Sequence, residues 1–255
     1  MKILREKLIL AGYKVETLGL FDDDAADLKS NDIVVMPVPT TKDKKTVFAP
    51  LTGRKIFLSD ISKAVNDTTP ILCCNYSFSD KKSIDYGAED SYALLNAVPT
   101  AEGAIKLAIE NTPFTLWKSK VLVIGYGRVG KILADRLKKI GCSVTVSARK
   151  QTDFAMLSAL GFDYTHTSKL NSGDLPYDIV FNTVDFTVLS GETFKKSNCT
   201  LAVDLSSLGG FSIDEAEKAG VKAIFAPGLP GKVAPVTAAE VLFDTVNNII
   251  IREKW

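Results

Sequence analysis

Apolar runs bounded by turn formers alternate with amphipathic stretches along the whole chain, the pattern of a parallel α/β protein. Residues 2–11 put Ile3, Leu4, Leu8 and Ala11 on one helical face, and Gly12 supplies a stop. Residues 13–18 alternate as a strand does. Residues 31–39 and 70–75 carry the continuous apolar character of buried parallel strands. An α/β domain that opens on a helix is unusual: either a first strand lies upstream of Met1, or the domain dispenses with one. Ala101, Ile105, Ala108 and Ile109 fall at helical spacing, which predicts an amphipathic helix over 99–113 beginning at Pro99.

Beyond that helix the alternation becomes regular. Residues 120–124 form a short buried strand, followed by a helix ending near Gly141, a strand over 142–148 and a helix over 153–160. Strands follow at 177–183, 200–205 and 221–226. Ser212 and Glu215 have the spacing of a capping box for a helix that stops at Gly220. Thr237 and Glu240 repeat the device before a helix with Leu242, Val246, Ile249 and Ile250 on one face. The expected fold is therefore α/β in two domains. A smaller, flavodoxin-like α/β domain without its first strand covers 1–97. A connecting helix covers 98–116, a Rossmann dinucleotide-binding domain 117–234, and a helix over 235–255 packs back on the first domain. The apolar run 249–251 would suit an interface between copies as well as a core.

Composition narrows the function. The 255 residues are 46% apolar and 24% charged, with a net charge of +1, which gives no concentrated basic field for nucleic acid. No apolar run reaches the ~18 residues of a membrane span, and the start lacks a signal peptide's features. The four cysteines, Cys73, Cys74, Cys142 and Cys199, match no zinc spacing and read as reduced thiols of a cytoplasmic protein. His166 is the single histidine, so no metal site is expected and a Ser-His-Asp hydrolase has one candidate.

Gly125, Gly127 and Gly130 follow a strand and open a helix, the context a dinucleotide fingerprint requires. Gly125 would make the turn, Gly127 would admit a pyrophosphate, and Gly130 would let helix and strand approach. The N–H groups of Arg128 and Val129 add the helix N-terminus. An NAD site places a carboxylate about 20 residues on, to meet the ribose hydroxyls. Here stand Ser147, Arg149 and Lys150, a hydroxyl and two cations that suit a 2′-phosphate. The expected cofactor is NADP, with NAD as the alternative. Later strand ends face the same crevice and add Asn182, Thr183, Val184, Asp204, Ser206 and Pro227. The loop 227–235 carries one charge, Lys232, placed to hold a substrate carboxylate at the domain junction.

Five segments occur together in order: Asn96-Ala-Val-Pro-Thr-Ala-Glu-Gly103, Val123-Ile-Gly-Tyr-Gly-Arg-Val-Gly130, Ser147-Ala-Arg149, Asp204-Leu-Ser-Ser-Leu-Gly-Gly210 and Ala226-Pro-Gly-Leu-Pro-Gly-Lys-Val-Ala-Pro235. With them the chain resembles the dipicolinate synthase A-subunit family from about residue 30 to its end. That family is similar in architecture to 2-hydroxyacid dehydrogenases and adenosylhomocysteine hydrolase, with two α/β domains around a cleft. The resemblance implies an NAD(P)-dependent oxidoreductase that makes dipicolinate from a tetrahydro- or dihydrodipicolinate of the lysine pathway during sporulation. It also implies the mother-cell cytoplasm of a spore former and a flavoprotein-like partner, the dipicolinate synthase B-subunit. The family usually begins with a strand and a Gly-Gly-Asp segment that this chain lacks.

Oxidising such a substrate needs a hydride acceptor, a proton acceptor and partners for two carboxylates. Lys232, Asn96 and Thr100 are the candidates for the carboxylates, with a helix N-terminus at 100–103 adding dipole. Glu102 is a proton acceptor or simply an acid favoured in a first turn. Position places His166 near the adenine end. Two rivals stand beside this reading. A 2-hydroxyacid dehydrogenase relative needs a late-strand histidine, and none follows residue 166. A non-catalytic NAD(P)-binding protein, or scaffold for the partner, needs no acid–base pair.

Overall fold

The computed structural model describes residues 1–255. The chain runs α1 (Lys2–Leu10), β1 (Val34–Val35), α2 (Leu58–Ala64), β2 (Ile71–Cys73), β3 (Ser83–Asp85) and α3 (Asp90–Asn111). It continues β4 (Lys120–Ile124), α4 (Arg128–Ile140), β5 (Ser143–Ala148), α5 (Gln151–Ala159), β6 (Asp163–His166) and β7 (Ile179–Asn182). Last come α6 (Gly191–Lys195), β8 (Leu201–Asp204), α7 (Ile213–Lys218), β9 (Lys222–Phe225), α8 (Leu229–Val233) and α9 (Pro235–Glu253). Two compact units result: Met1–Leu95 with Pro235–Trp255, and Asn96–Ala234.

The first unit is a three-stranded parallel sheet, β1-β2-β3, covered on both faces. Leu72 and Cys74 point into a core with Leu4 and Leu8 of α1 and with Leu242, Val246 and Ile249 of α9. Ile71 and Cys73 point the other way, against Met36 and the α2 residues Leu58 and Ile61. Double coverage explains the continuous apolar run of β2, because both faces must be apolar. Residues 13–18 form no strand. Their alternation serves packing without a ladder: Val15 lies against the α9 core, and the Tyr13 hydroxyl bonds Asn247 Oδ1 at 2.9 Å.

The second unit is a six-stranded parallel sheet in the order β6-β5-β4-β7-β8-β9. Strand order reverses beside β4, so a topological switch point lies between β4 and β7. Alternate residues of β4 feed opposite cores. Val121 and Val123 pack with Ala104, Leu133, Leu157 and Leu229, from α3, α4, α5 and α8. Leu122 and Ile124 pack with Phe194 and Ala216, from α6 and α7.

Two expected helix starts are revised, and so is one half of an expected capping box. The helix of 99–113 begins at Asp90, and Pro99 lies inside it. Without an N–H, Pro99 cannot bond back one turn; the next residue, Thr100, turns its hydroxyl to the Asn96 carbonyl at 2.8 Å. The last helix begins at Pro235, whose fixed φ suits a first helical position, so Thr237 is not a cap. The helix at 213 does take its cap from Ser212, but Glu215 reaches Gly191 N at 3.0 Å instead of folding back.

Candidate functional site

The six parallel strands of the second unit end along one edge, and the loops that follow them gather most of the sequence-predicted residues. The glycine loop after β4 is built as its spacing requires. Gly125 has φ of +99°, a conformation that favours glycine, and a β-carbon there would meet Thr183 Oγ1 and Val184 Cγ1 at 2.6 Å. A β-carbon on Gly130 would lie 2.1 Å from the Gly125 carbonyl oxygen. At Gly127 a β-carbon would meet nothing within 4 Å. That open space faces the start of α4, which has no side-chain cap and no acid in its first turn. Arg128, Val129 and Gly130 supply this turn, so the loop fits an anion such as a pyrophosphate.

At the end of β5, Ser147 is fully buried and its hydroxyl lies 3.2 Å from that of Thr167. Arg149 and Lys150 are exposed just beyond it, with no carboxylate at these positions. The Arg149 guanidinium lies over the Phe186 ring, 4.8 Å from its centroid. Phe186 belongs to the loop after β7, so this contact crosses the end of β4. His166 ends the edge strand β6, its Nδ1 2.7 Å from Ser168 Oγ and its ring 6.0 Å from that of Phe154.

The ends of β7 and β8 are tied together by buried polar groups. Asp204 is fully buried and accepts from Asn182 Nδ2 at 2.9 Å, Ser206 N at 3.0 Å, Ser206 Oγ at 2.7 Å and Gly210 N at 2.5 Å. Asn182 also donates to the Val184 carbonyl at 2.9 Å and accepts from Val184 N at 3.2 Å. Thr183 bonds the Ile124 carbonyl at 2.8 Å through its hydroxyl. Asp185 takes the N–H groups of Ser207 at 2.6 Å and Leu208 at 3.3 Å. Asn182, Asp204 and Ser206 thus bond one another and their own loops. Asp185 and Phe186 escaped the sequence reading; their only signal is a position just past a buried strand.

The segment over 227–233 is not loop throughout, since Leu229–Val233 forms α8. A β-carbon on Gly103 of α3 would meet Leu229 Cβ and Val233 Cγ2 at 3.1 Å, so α8 abuts α3 there. Asn96 and Thr100 precede Gly103 at i, i+4, i+7, one helical stripe. Lys232 is exposed on α8, and Pro227 is exposed just ahead of it. Because α3 starts at Asp90, no helix N-terminus exists at 100–103 and no dipole aids an anion there. Glu102 pairs with Arg136 of α4, so its carboxylate is engaged away from that stripe.

No family model matches the chain. It is 32% identical to the dipicolinate synthase A-subunit of Bacillus subtilis (strain 168) over 245 residues, 89% of this chain and 80% of that one. The chain belongs to the dipicolinate synthase A-subunit family. Solved members agree in fold. The A-subunit of dipicolinate synthase from Bacillus halodurans superposes with a TM-score of 0.87 at 27% identity, over 98% of this chain and 93% of its own. The solved B. subtilis protein gives 0.78 at 30% identity, over 91% and 81%. D-Lactate dehydrogenase from Escherichia coli, at 15% identity and a TM-score of 0.62 over 99% and 93%, shares the fold alone. No helix of the chain is long and apolar enough to cross a membrane.

Proposed function

We propose that this chain is an NADP-dependent oxidoreductase that forms dipicolinate from a tetrahydro- or dihydrodipicolinate intermediate of the lysine pathway. Membership in the dipicolinate synthase A-subunit family supports the product. The observation that carries the cofactor is the open space at Gly127 before an uncapped α4, beside Arg149 and Lys150 with no carboxylate.

NADP, when bound, would supply the hydride acceptor, one equivalent for a dihydrodipicolinate and two in succession for a tetrahydrodipicolinate. The chain supplies the rest. The first-turn N–H groups of α4 hold the pyrophosphate, and Arg149 and Lys150 hold the 2′-phosphate. Thr183, Val184 and Pro227 border the same crevice. Ser147, Asn182, Asp204 and Ser206 keep the strand ends in place through the bonds described above. Lys232, Asn96 and Thr100 hold the substrate carboxylates, the ammonium by charge and the other two by neutral hydrogen bonds. The B. subtilis relative is named as one subunit of its synthase, and a flavoprotein-like B-subunit is the proposed partner, in the mother-cell cytoplasm of a spore former.

The test mixes the full chain with NADP and freshly generated tetrahydrodipicolinate, with and without the B-subunit. Formation of NADPH together with the ultraviolet absorbance of dipicolinate supports the reading. Their absence from both mixtures, with NADP bound, makes the chain a non-catalytic nucleotide-binding protein.

A further inference from the structure

We propose that Phe186 is a positioning residue for cofactor selection: its ring holds the Arg149 guanidinium where it meets a ribose 2′-phosphate. The proposal rests on the NADP reading above and extends it. Arg149 follows β5 and Phe186 lies beyond β7, the two strands that flank β4. Their contact, guanidinium carbon 4.8 Å from the ring centroid, has cation–π geometry. It therefore spans the carboxyl end of β4, where the glycine loop begins and where dinucleotides bind in open parallel sheets.

An exposed arginine otherwise samples many rotamers, and ordering it on binding costs affinity. Stacking one face on Phe186 removes much of that freedom beforehand. The stack leaves the five N–H donors free, because they lie in the guanidinium plane and point outward from its edge. Phosphate is recognised along that edge, and the opposite face stays open to a flat base. The ring itself has a fixed base. The neighbouring Asp185 carboxylate takes the Ser207 and Leu208 N–H groups, which ties the loop after β7 to the loop after β8. Phe186 is 39% exposed, so its ring is not part of the sheet core and can be replaced without opening a cavity there.

Titration calorimetry of the full chain with NADP, NAD, 2′,5′-ADP and ADP tests this. Phe186→Leu is expected to weaken NADP and 2′,5′-ADP about two- to five-fold, leaving NAD and ADP unchanged. Phe186→Tyr is expected to restore both, and Phe186→Leu to add nothing in an Arg149→Ala background. Equal loss for NADP and NAD would show that the ring touches the shared adenosine, and tighter NADP binding that the stack competes with it. Either result, or no change, overturns the proposal. A parent chain without preference for NADP removes the underlying reading as well. A parent that prefers NADP, with a Leu variant keeping the same ratio, removes this proposal alone.

Discussion

Gly130 stands so close to Gly125 that a β-carbon on it would come within 2.1 Å of the Gly125 carbonyl oxygen. Gly127, between them in the same loop, has open space where its β-carbon would be. The two glycines therefore answer to different demands, and substitution separates them. Gly130→Ala is expected to destabilise the second unit by about 3 kcal/mol, seen as a lower urea midpoint. Gly127→Ala is expected to keep the midpoint and to weaken NADP binding by about tenfold or more, because the methyl fills the approach to a pyrophosphate. A Gly127→Ala chain that binds NADP normally would take the pyrophosphate off this loop.

Asp204 accepts four hydrogen bonds while wholly buried. Asp204→Ala leaves the Ser206 N–H, the Ser206 hydroxyl and the Gly210 N–H without their buried acceptor, while the Asn182 amide keeps its bond to the Val184 carbonyl. The expected loss is at least about 3 kcal/mol, at about 1–3 kcal/mol per stranded buried group. Asp204→Asn, which keeps one carbonyl oxygen, should lose less. Urea titration of both variants checks the order, and equal losses would contradict it.

Lys232→Gln is expected to raise the KM for the dicarboxylate substrate by about tenfold, the worth of one charged hydrogen bond. The Kd for NADP should not move, because Lys232 lies on α8 after β9 and the glycine loop proposed to hold the pyrophosphate follows β4. Steady-state kinetics beside calorimetry make the comparison; a rise in Kd that matches the rise in KM would place the lysine on the cofactor.

Burial is the chief cause that pushes the Cys73, Cys74 and Cys199 thiols up to about 12 and the Cys142 thiol to about 11. For Cys73 and Cys74 the nearby Asp85 charge adds to it. At about pH 8 the native chain should take up almost no iodoacetamide, and all four thiols should react once it is unfolded. The sign of the pH effect follows. The folded thiols keep their protons up to 11–12, while unfolded ones ionise near 9. Stability from this source is complete below 9 and drains away as pH climbs from there towards 12. Melting curves across that range, compared with a chain carrying Cys199→Ala, show it as a falling midpoint.

The architecture was readable wherever a strand is buried on both faces. The segments around β4, β7 and β8 carry unbroken apolar runs because helices cover each side of that sheet. Two of the edge strands carry no such signal. β6, with Asp163, Tyr164, Thr165 and His166, and β3, with Ser83, Ile84 and Asp85, are half polar and pair on one side only. Helix α8 hid behind its glycine and proline content. Pro99 misled for a related reason: proline usually marks a helix start, yet burial of α3 residues on either side of it carries the helix through.

The candidate site was legible to the extent that its residues touch their sequence neighbours. Spacing alone exposed the glycine loop and the pair Arg149 and Lys150. The contact of Arg149 with Phe186 joins residues 37 positions apart across an intervening strand, and no local pattern announces it. Ser147 and Asp204 looked like free polar groups for a ligand. Their partners, Thr167 and Asn182, come from neighbouring strands or the turns after them, and only the strand order reveals those neighbours.

The closed set of bonds among Asn182, Asp204, Ser206 and Gly210 also bears on affinity. Each polar group there is satisfied within the chain, so the ordering of this loop is completed when the protein folds. A molecule arriving at the strand ends meets a wall that has little freedom left to surrender. Association at this side of the crevice should then show a small entropic penalty and an on-rate close to that of rigid docking.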